Sequence, residues 1–293
     1  MRTILLVTAA ALFVGAAPPP KLLTPNDVVA TSPASAWKTI PADDLLVIDL
    51  ASGGRVVVQL APAFAPVHVA NIKALARGKY WDGATVYRVQ DNYVAQWGLN
   101  ESDKPWPKGV TPKPPAEYTR GYKGLKVTPL GSPDPYAPGA GFADGWPVAY
   151  NAKAGWADLT HCYGSVGVGR DLSPDTGTGG ELYAVIGQAP RQLDRNIALV
   201  GRVIDGIDRL STLPRGTEAL GFYKDKAQYV PIASIRLASD MGANAPSYEM
   251  MDTGSPTFAR YLKIRANRHD SFYDHPAGGV DLCNVQVPVR KKG

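Results

Sequence analysis

Arg88, Gln96, Glu181, Tyr93 and Tyr183 stand in short β-branched runs whose spacing groups them on shared faces. Side chains along a strand alternate between two faces with a period of 2. Arg88 therefore groups with Val86 and Gln90, opposite Tyr87 and Val89. Val94 groups with Gln96, and Glu181 with Tyr183. A face made of Arg, Gln, Glu and Tyr cannot fill a small barrel, so it belongs on the outside. Such a set can hold a polar group through hydrogen bonds and one fixed positive charge, but it offers no activated nucleophile. Other reactive residue types are sparse. The chain has two cysteines and four histidines (His68, His161, His269, His275), with no CxxC, HExxH, paired-His spacing or G-x-S-x-G elbow. No metal site is expected, and His68 and His161 read as core or surface residues. The glycines between Gly164 and Gly169 lie in a strand pattern with no helix after it, which argues against a dinucleotide loop. An enzyme that makes and breaks no covalent bond leaves this kind of record.

The elements that position these residues follow from period and punctuation. Leu45–Leu50 and Arg55–Leu60 flank Ser52, Gly53 and Gly54, a predicted hairpin. Pro66 and Gly78 bound a predicted helix over Pro66–Arg77. Further strands are predicted over Ala84–Val89, Tyr93–Trp97, Ser165–Val168, Leu182–Ile186, Ala198–Val203 and Ile232–Ser239, with a second short helix over Asp205–Thr212. Eight strands and two short helices indicate an all-β fold, a closed antiparallel eight-stranded barrel capped by helices.

Around this core the chain of 293 residues carries four other segments. Residues 1–17 combine Arg2, the apolar run Ile4–Val14 and the small residues Gly15, Ala16 and Ala17, the pattern of a secretory signal cleaved after Ala16 or Ala17. Export is expected, to the periplasm if the source is a Gram-negative bacterium. Residues 18–44 read as a loose lead-in. Residues 99–160 form an insertion with ten prolines and eight aromatic residues, whose aromatics favour packing over disorder. It either shapes access to the polar face or packs away from it. Residues 240–293 form a basic C-terminal extension in which Val285–Val289 is a candidate edge strand, restricted by Pro288. The net charge of +5 sits largely in residues 259–293, which hold seven basic and three acidic side chains. A neutral body with a basic tail is a poor nucleic-acid footprint, and no internal apolar run reaches the ~20 residues of a membrane span. A monomer is expected.

The ordered motifs resemble the cyclophilin family of peptidyl-prolyl isomerases. They are Val56–Leu60 (VVVQL), Ala65–Asn71 (APVHVAN), Gly78–Gly83 (GKYWDG), Val86–Val89 (VYRV) and Tyr93–Gly98 (YVAQWG), then Gly164–Arg170 (GSVGVGR), Gly179–Ile186 (GGELYAVI), Leu193 with Asp194, Val200–Val203 (VGRV) and Gly206–Asp208 (GID). The resemblance covers residues 45–239, interrupted by 99–160. It implies isomerisation of X-Pro bonds in proline-containing polypeptides without a cofactor. Arg88 is then the catalytic group, Gln96 holds substrate backbone, and Tyr93, Val94, Tyr183 and Leu193 line the proline pocket, with Glu181 beside them. The chain departs from the family pattern at several places. Tyr93 and Tyr183 stand at usual Phe positions, Val94 at a usual Met, Glu181 at a usual Gln, Gln192 at a frequent Trp and Ile197 at a frequent His. A carboxylate at 181 is expected near enough to Arg88 to pair with it and compete with substrate. This leaves two readings, an exported prolyl isomerase or a weak or inactive cyclophilin-like peptide-binding or chaperone module. An exported compartment and an even cysteine count leave one intramolecular disulfide, Cys162–Cys283; two buried thiols are the alternative.

Overall fold

A computed structural model describes residues 22–100, 102–270 and 272–292. The proposed signal segment lies outside them. In chain order come α1 (Pro25–Ala30), β1 (Trp37–Thr39), β2 (Leu45–Leu50), β3 (Arg55–Leu60), α2 (Pro66–Arg77), β4 (Thr85–Val89) and β5 (Val94–Gly98). The insertion follows with β6 (Arg120–Gly121), β7 (Thr128–Pro129), β8 (Gly139–Ala143), β9 (Trp146–Asn151) and β10 (Trp156–Leu159). The barrel resumes with β11 (Ser165–Val168), β12 (Leu182–Val185), β13 (Leu199–Asp205), α3 (Asp208–Ser211) and β14 (Val230–Leu237). The chain ends with β15 (Tyr248–Met251), α4 (Pro256–Ala266) and β16 (Val289–Lys291).

The barrel closes in the order β11-β12-β5-β4-β14-β2-β3-β13, all neighbours antiparallel. The hairpin between β2 and β3 turns on Gly53 and Gly54, whose φ angles of 88° and 102° disfavour side chains with a Cβ. The interior is filled by alternate residues such as Leu46, Ile48, Val56, Val58, Ala95, Trp97, Val166 and Ile235. Helix α2 starts at Pro66, where a missing N–H costs nothing. Its open N-terminus is capped from the insertion: Glu117 accepts the backbone N–H groups of Val67 and His68, each at 2.9 Å. A carboxylate there also complements the helix dipole.

Several boundaries differ from the sequence reading. The second short helix is confined to Asp208–Ser211, because the preceding strand pairs with β3 as far as Asp205. Residues 22–44 are not a loose lead-in: α1 packs by Val28, and β1 pairs with β15. The C-terminal edge strand is Val289–Lys291 rather than Val285–Val289, since it begins only after Pro288. It completes the three-stranded sheet β1-β15-β16. The insertion forms its own five-stranded sheet, β6-β10-β9-β8-β7. One side of that sheet packs on the barrel through Trp146, Val148 and Leu159 against Phe64 and Leu199. Its residues Ala140 and Phe142 share a second core with Val28 and Trp37 of the lead-in and Phe258, Leu262 and Val287 of the extension. The disulfide Cys162–Cys283, with Cα atoms 5.0 Å apart, ties the extension to the start of β11. No helix among the described residues is long and apolar enough to cross a membrane.

Candidate functional site

Strands β4, β5 and β12 are neighbours in the barrel and present the polar face expected from the sequence. One register shift changes its membership. A bulge in β4 lies between Val86 and Arg88 where they pair with β5, so Val86 and Val89 both enter the barrel core. Strict alternation had placed Val86 with Arg88 and Tyr87 opposite. A bulge adds one residue to one strand and re-aims the side chains beside it. The Tyr87 hydroxyl consequently joins the outer face: it donates to Glu181 Oε2 at 2.7 Å and accepts from Gln96 Nε2 at 2.6 Å.

Arg88 is half-buried and held by three neutral oxygens. Its Nε donates to the Leu220 carbonyl at 2.7 Å, Nη1 to Gln96 Oε1 at 2.9 Å and Nη2 to Gln90 Oε1 at 2.6 Å. The guanidinium lies 5.4 Å from the Phe222 ring centroid and 5.9 Å from that of Tyr93. Among the described residues no carboxylate pairs with it. Burial draws its pKa below the usual arginine value, with the Tyr93, Tyr87 and Tyr183 hydroxyls acting the other way. A guanidinium has five N–H donors, so these three bonds leave one N–H on each terminal nitrogen for a ligand. Both ends of Gln96 are engaged by protein partners, which makes it the orienter of Arg88 in the free protein.

Glu181 does not pair with Arg88, contrary to the expectation from sequence. Its carboxylate accepts the Tyr87 hydroxyl and, through Oε1, the backbone N–H groups of Leu99 and Asn100 at 3.0 Å each. These are the first residues of the insertion. The reach depends on Gly98, where a Cβ would overlap the Glu181 carboxylate. Burial raises the Glu181 pKa, partly offset by those three donors.

Beside Arg88 lies a compact apolar cluster of Val94, Tyr183 and Val185, with Tyr93 and Ile197 packed against it. Its spacing follows from the ladder, where Tyr183 pairs with Gln96 and Val185 with Val94. Tyr183 is buried, and burial raises its pKa strongly. Its hydroxyl lies 3.0 Å from His161 Nε2, while His161 Nδ1 lies 2.9 Å from Asp194 Oδ1. The Asp194 acceptor fixes the proton on Nδ1, so Nε2 accepts from the tyrosine. Arg191 bonds Asp194 and Asp134 behind this chain of contacts. Leu193, a predicted lining residue, is half-buried at the end of the turn Arg191–Leu193, next to Asp194.

Tyr87, His161, Asp194 and Phe222 were not legible as site residues. The bulge has no strong sequence mark. Phe222 arrives from a loop that docks on β4, with Gly216 N–H on the Val89 carbonyl at 2.9 Å and Tyr223 N–H on the Tyr87 carbonyl at 3.1 Å. No group of three or more potential metal ligands occurs among the described residues.

Residues 45–237 match the family described as cyclophilin type peptidyl-prolyl cis-trans isomerase/CLD. The chain belongs to the cyclophilin family. This cyclophilin is a peptidyl-prolyl cis-trans isomerase. It is 25% identical over 169 residues to a probable peptidyl-prolyl cis-trans isomerase of Brucella suis biovar 1, spanning 57% of this chain and 69% of that one. A protein of the same description from Brucella melitensis biotype 1 matches to the same extent. The crystal structure of the cyclophilin AquaCyp293 from Hirschia baltica shares the fold, with a TM-score of 0.68 at 22% identity over 92% of this chain and 97% of that one. The closed barrel of this cyclophilin agrees with that likeness.

Proposed function

We propose that this cyclophilin isomerises X-Pro bonds in exported polypeptides, with Arg88 as the catalytic group. The observation that carries the reading is a guanidinium held by three neutral oxygens, without a counter-charge among the described residues, beside an apolar cluster.

The chemistry sets the requirement. Amide resonance imposes a barrier of ~18–20 kcal/mol to rotation, and before proline exchange takes tens to hundreds of seconds although the isomers are close in energy. Twisting the bond returns a lone pair to the prolyl nitrogen. The free N–H groups of Arg88 donate to that nitrogen most strongly in the twisted state, which is selective binding of the transition state. The ring rests between the half-buried Tyr93 and Ile197, with Val94 and Tyr183 beneath it and Val185 buried behind them. Gln96 and the Tyr87 hydroxyl act through Arg88 by fixing the plane of its guanidinium. Export is supported by the pattern of residues 1–17 and by the Cys162–Cys283 bond, since disulfides persist in oxidising compartments. The binding-module reading drew on the aromatic insertion and on Glu181 competing for Arg88; of these, Glu181 is engaged by Tyr87, Leu99 and Asn100 instead.

A protease-coupled assay on an Ala-Pro peptide tests the reading. Wild type should accelerate exchange and Arg88→Ala should not match it. Equal rates for the two purified, folded proteins would overturn the assignment.

A further inference from the structure

A cavity of about 500 Å3 lies away from the Arg88 face, where the barrel, the insertion, α1, α4 and the C-terminal segment meet. Arg202 on β13 lies in its wall. Trp146 and Leu159 come from the insertion, Tyr261 from α4 and Val287 from the C-terminal segment. In the barrel ring β11 stands between β13 and the isomerase face on β12, β5 and β4, and no residue of those three strands lines the cavity. Its volume falls in the range of small-ligand sites.

Arg202 is the one basic side chain in the wall and has no carboxylate partner among the described residues. Its Nε and Nη2 donate to Gln59 Oε1 at 3.1 and 2.8 Å, and the guanidinium lies 4.8 Å over the Trp146 ring. Nη1 has no acceptor among the described residues, so its N–H groups are available to a ligand in the cavity that Arg202 lines. The one acid in the wall, Asp205, is already used by the Tyr248 hydroxyl at 2.6 Å and by Lys291 at 3.0 Å. Burial lowers the Arg202 pKa to about 10, which leaves it cationic at neutral pH. Arg202 is half-buried, and a partly desolvated charge without a counter-ion costs stability that an apolar residue joining barrel to insertion would not.

We propose that this cavity binds an organic carboxylate, its anionic end on Arg202 Nη1 and its apolar body against Trp146, Leu159 and Val287. A monoanion suits the site better than a phosphate, since one guanidinium with one open nitrogen cannot neutralise a dianion. A free aliphatic acid and the C-terminus of a polypeptide share this chemistry.

Calorimetric titration of the full mature protein with hexanoate, hexanamide, and a neutral hexapeptide carrying a free or amidated C-terminus separates the sources. At least one carboxylate should bind about tenfold or more tightly than its amide, as a charge-assisted hydrogen bond requires. Preference for hexanoate identifies a free acid, and preference for the peptide identifies a chain end. The Arg202 Nε–H resonance of the wild type should shift with the same titration. Arg202→Gln should abolish the discrimination. Tyr163 lies at the cavity and is 40% exposed, so Tyr163→Asp should fold normally. That variant should weaken carboxylate binding several-fold and leave isomerisation unchanged. Equal or absent binding of every acid and its amide in the folded wild type would overturn the proposal. So would carboxylate binding that survives folded Arg202→Gln.

Discussion

Arg88 gains its usefulness from what surrounds it rather than from its own type. Three neutral acceptors orient the guanidinium without cancelling its charge, so in the proposed mechanism its remaining N–H groups stay available to a twisted amide. Arg88→Ala should lower kcat/KM at least about tenfold with the fold intact, since a charge-assisted bond contributes roughly 1.5–3 kcal/mol. Circular dichroism alongside the peptide assay checks both halves of that statement. In the same proposal Tyr87 acts as a positioning residue, through Gln96. Tyr87→Phe breaks the link from Glu181 to Gln96, so kcat should fall about three- to tenfold with KM little changed. A fall confined to KM would place Tyr87 against substrate instead. Glu181→Gln should give no gain in activity, because the carboxylate does not restrain Arg88. The amide oxygen can still accept from Leu99 and Asn100, and its NH2 can donate to Tyr87. A rise of more than about threefold in kcat/KM would show that Glu181 does act on Arg88 in solution.

At the scale of elements, the site depends on how β5 leaves the barrel. Gly98 lets the Glu181 carboxylate reach under the start of the insertion and hold Leu99 and Asn100. From there the insertion runs along α2: Trp106 stacks on Tyr80 with centroids 4.9 Å apart, and Asn71 bonds both the N–H and the carbonyl of Thr111. The segment therefore begins at the isomerase face, runs along α2 and returns behind the apolar cluster, where Asp134 pairs with Arg191 and the Trp156 ring lies 4.3 Å from the Arg195 guanidinium. Gly98→Ala should displace Glu181 and leave buried groups unpaired, a loss of about 1–3 kcal/mol of stability by urea titration. Activity should fall with it, because Tyr87 and Gln96 lose their anchor. An unchanged denaturation midpoint would show that Glu181 relaxes freely.

At the scale of the whole molecule, the two ends of the chain and the insertion make a second core beside the barrel. The Cys162–Cys283 bond closes a loop with a sequence separation of 121 residues. The chain-entropy model assigns such a loop up to ~4–5 kcal/mol. Cys283→Ser should therefore lower the melting temperature clearly, while the barrel keeps its isomerase activity at 25 °C. The same junction holds an ionisable liability. Asp158, buried on β10, has no hydrogen-bond partner for either oxygen among the described residues. Burial, with the nearby Asp194 adding to it, raises its pKa to about 8. The folded state thus keeps a proton that the unfolded state loses near pH 4, so this group's contribution to stability falls as pH rises from about 4 to about 8. Asp158→Asn should stabilise the protein more at pH 8.5 than at pH 4.5. Melting curves at those two pH values check it, and an equal shift at both would contradict the assignment.

Much of this protein is written in local pattern. Period-2 runs in β2, β3, β11 and β12, Pro66 before α2 and the paired glycines 53 and 54 determine strands, helix and turn by backbone sterics and burial alone. The ordered motifs around Arg88, Gln96 and Tyr183 mark a single face because alternation is a local rule. Where that rule breaks, at the bulge between Val86 and Arg88, only the paired strand β5 decides which side chain turns outward. The partner of Glu181 likewise depends on where residues 99 and 100 go in space. Of the seven basic residues of 259–293, Arg290 lies 4.1 Å over the Trp37 ring and pairs with Glu249, a contact that the charge count alone does not reveal. The lead-in looks loose in sequence, and neither it nor the extension holds enough apolar surface to fold by itself. They become ordered through each other, β1 on β15 and α1 beside α4, since burial that neither segment can achieve alone is supplied only by long-range contact.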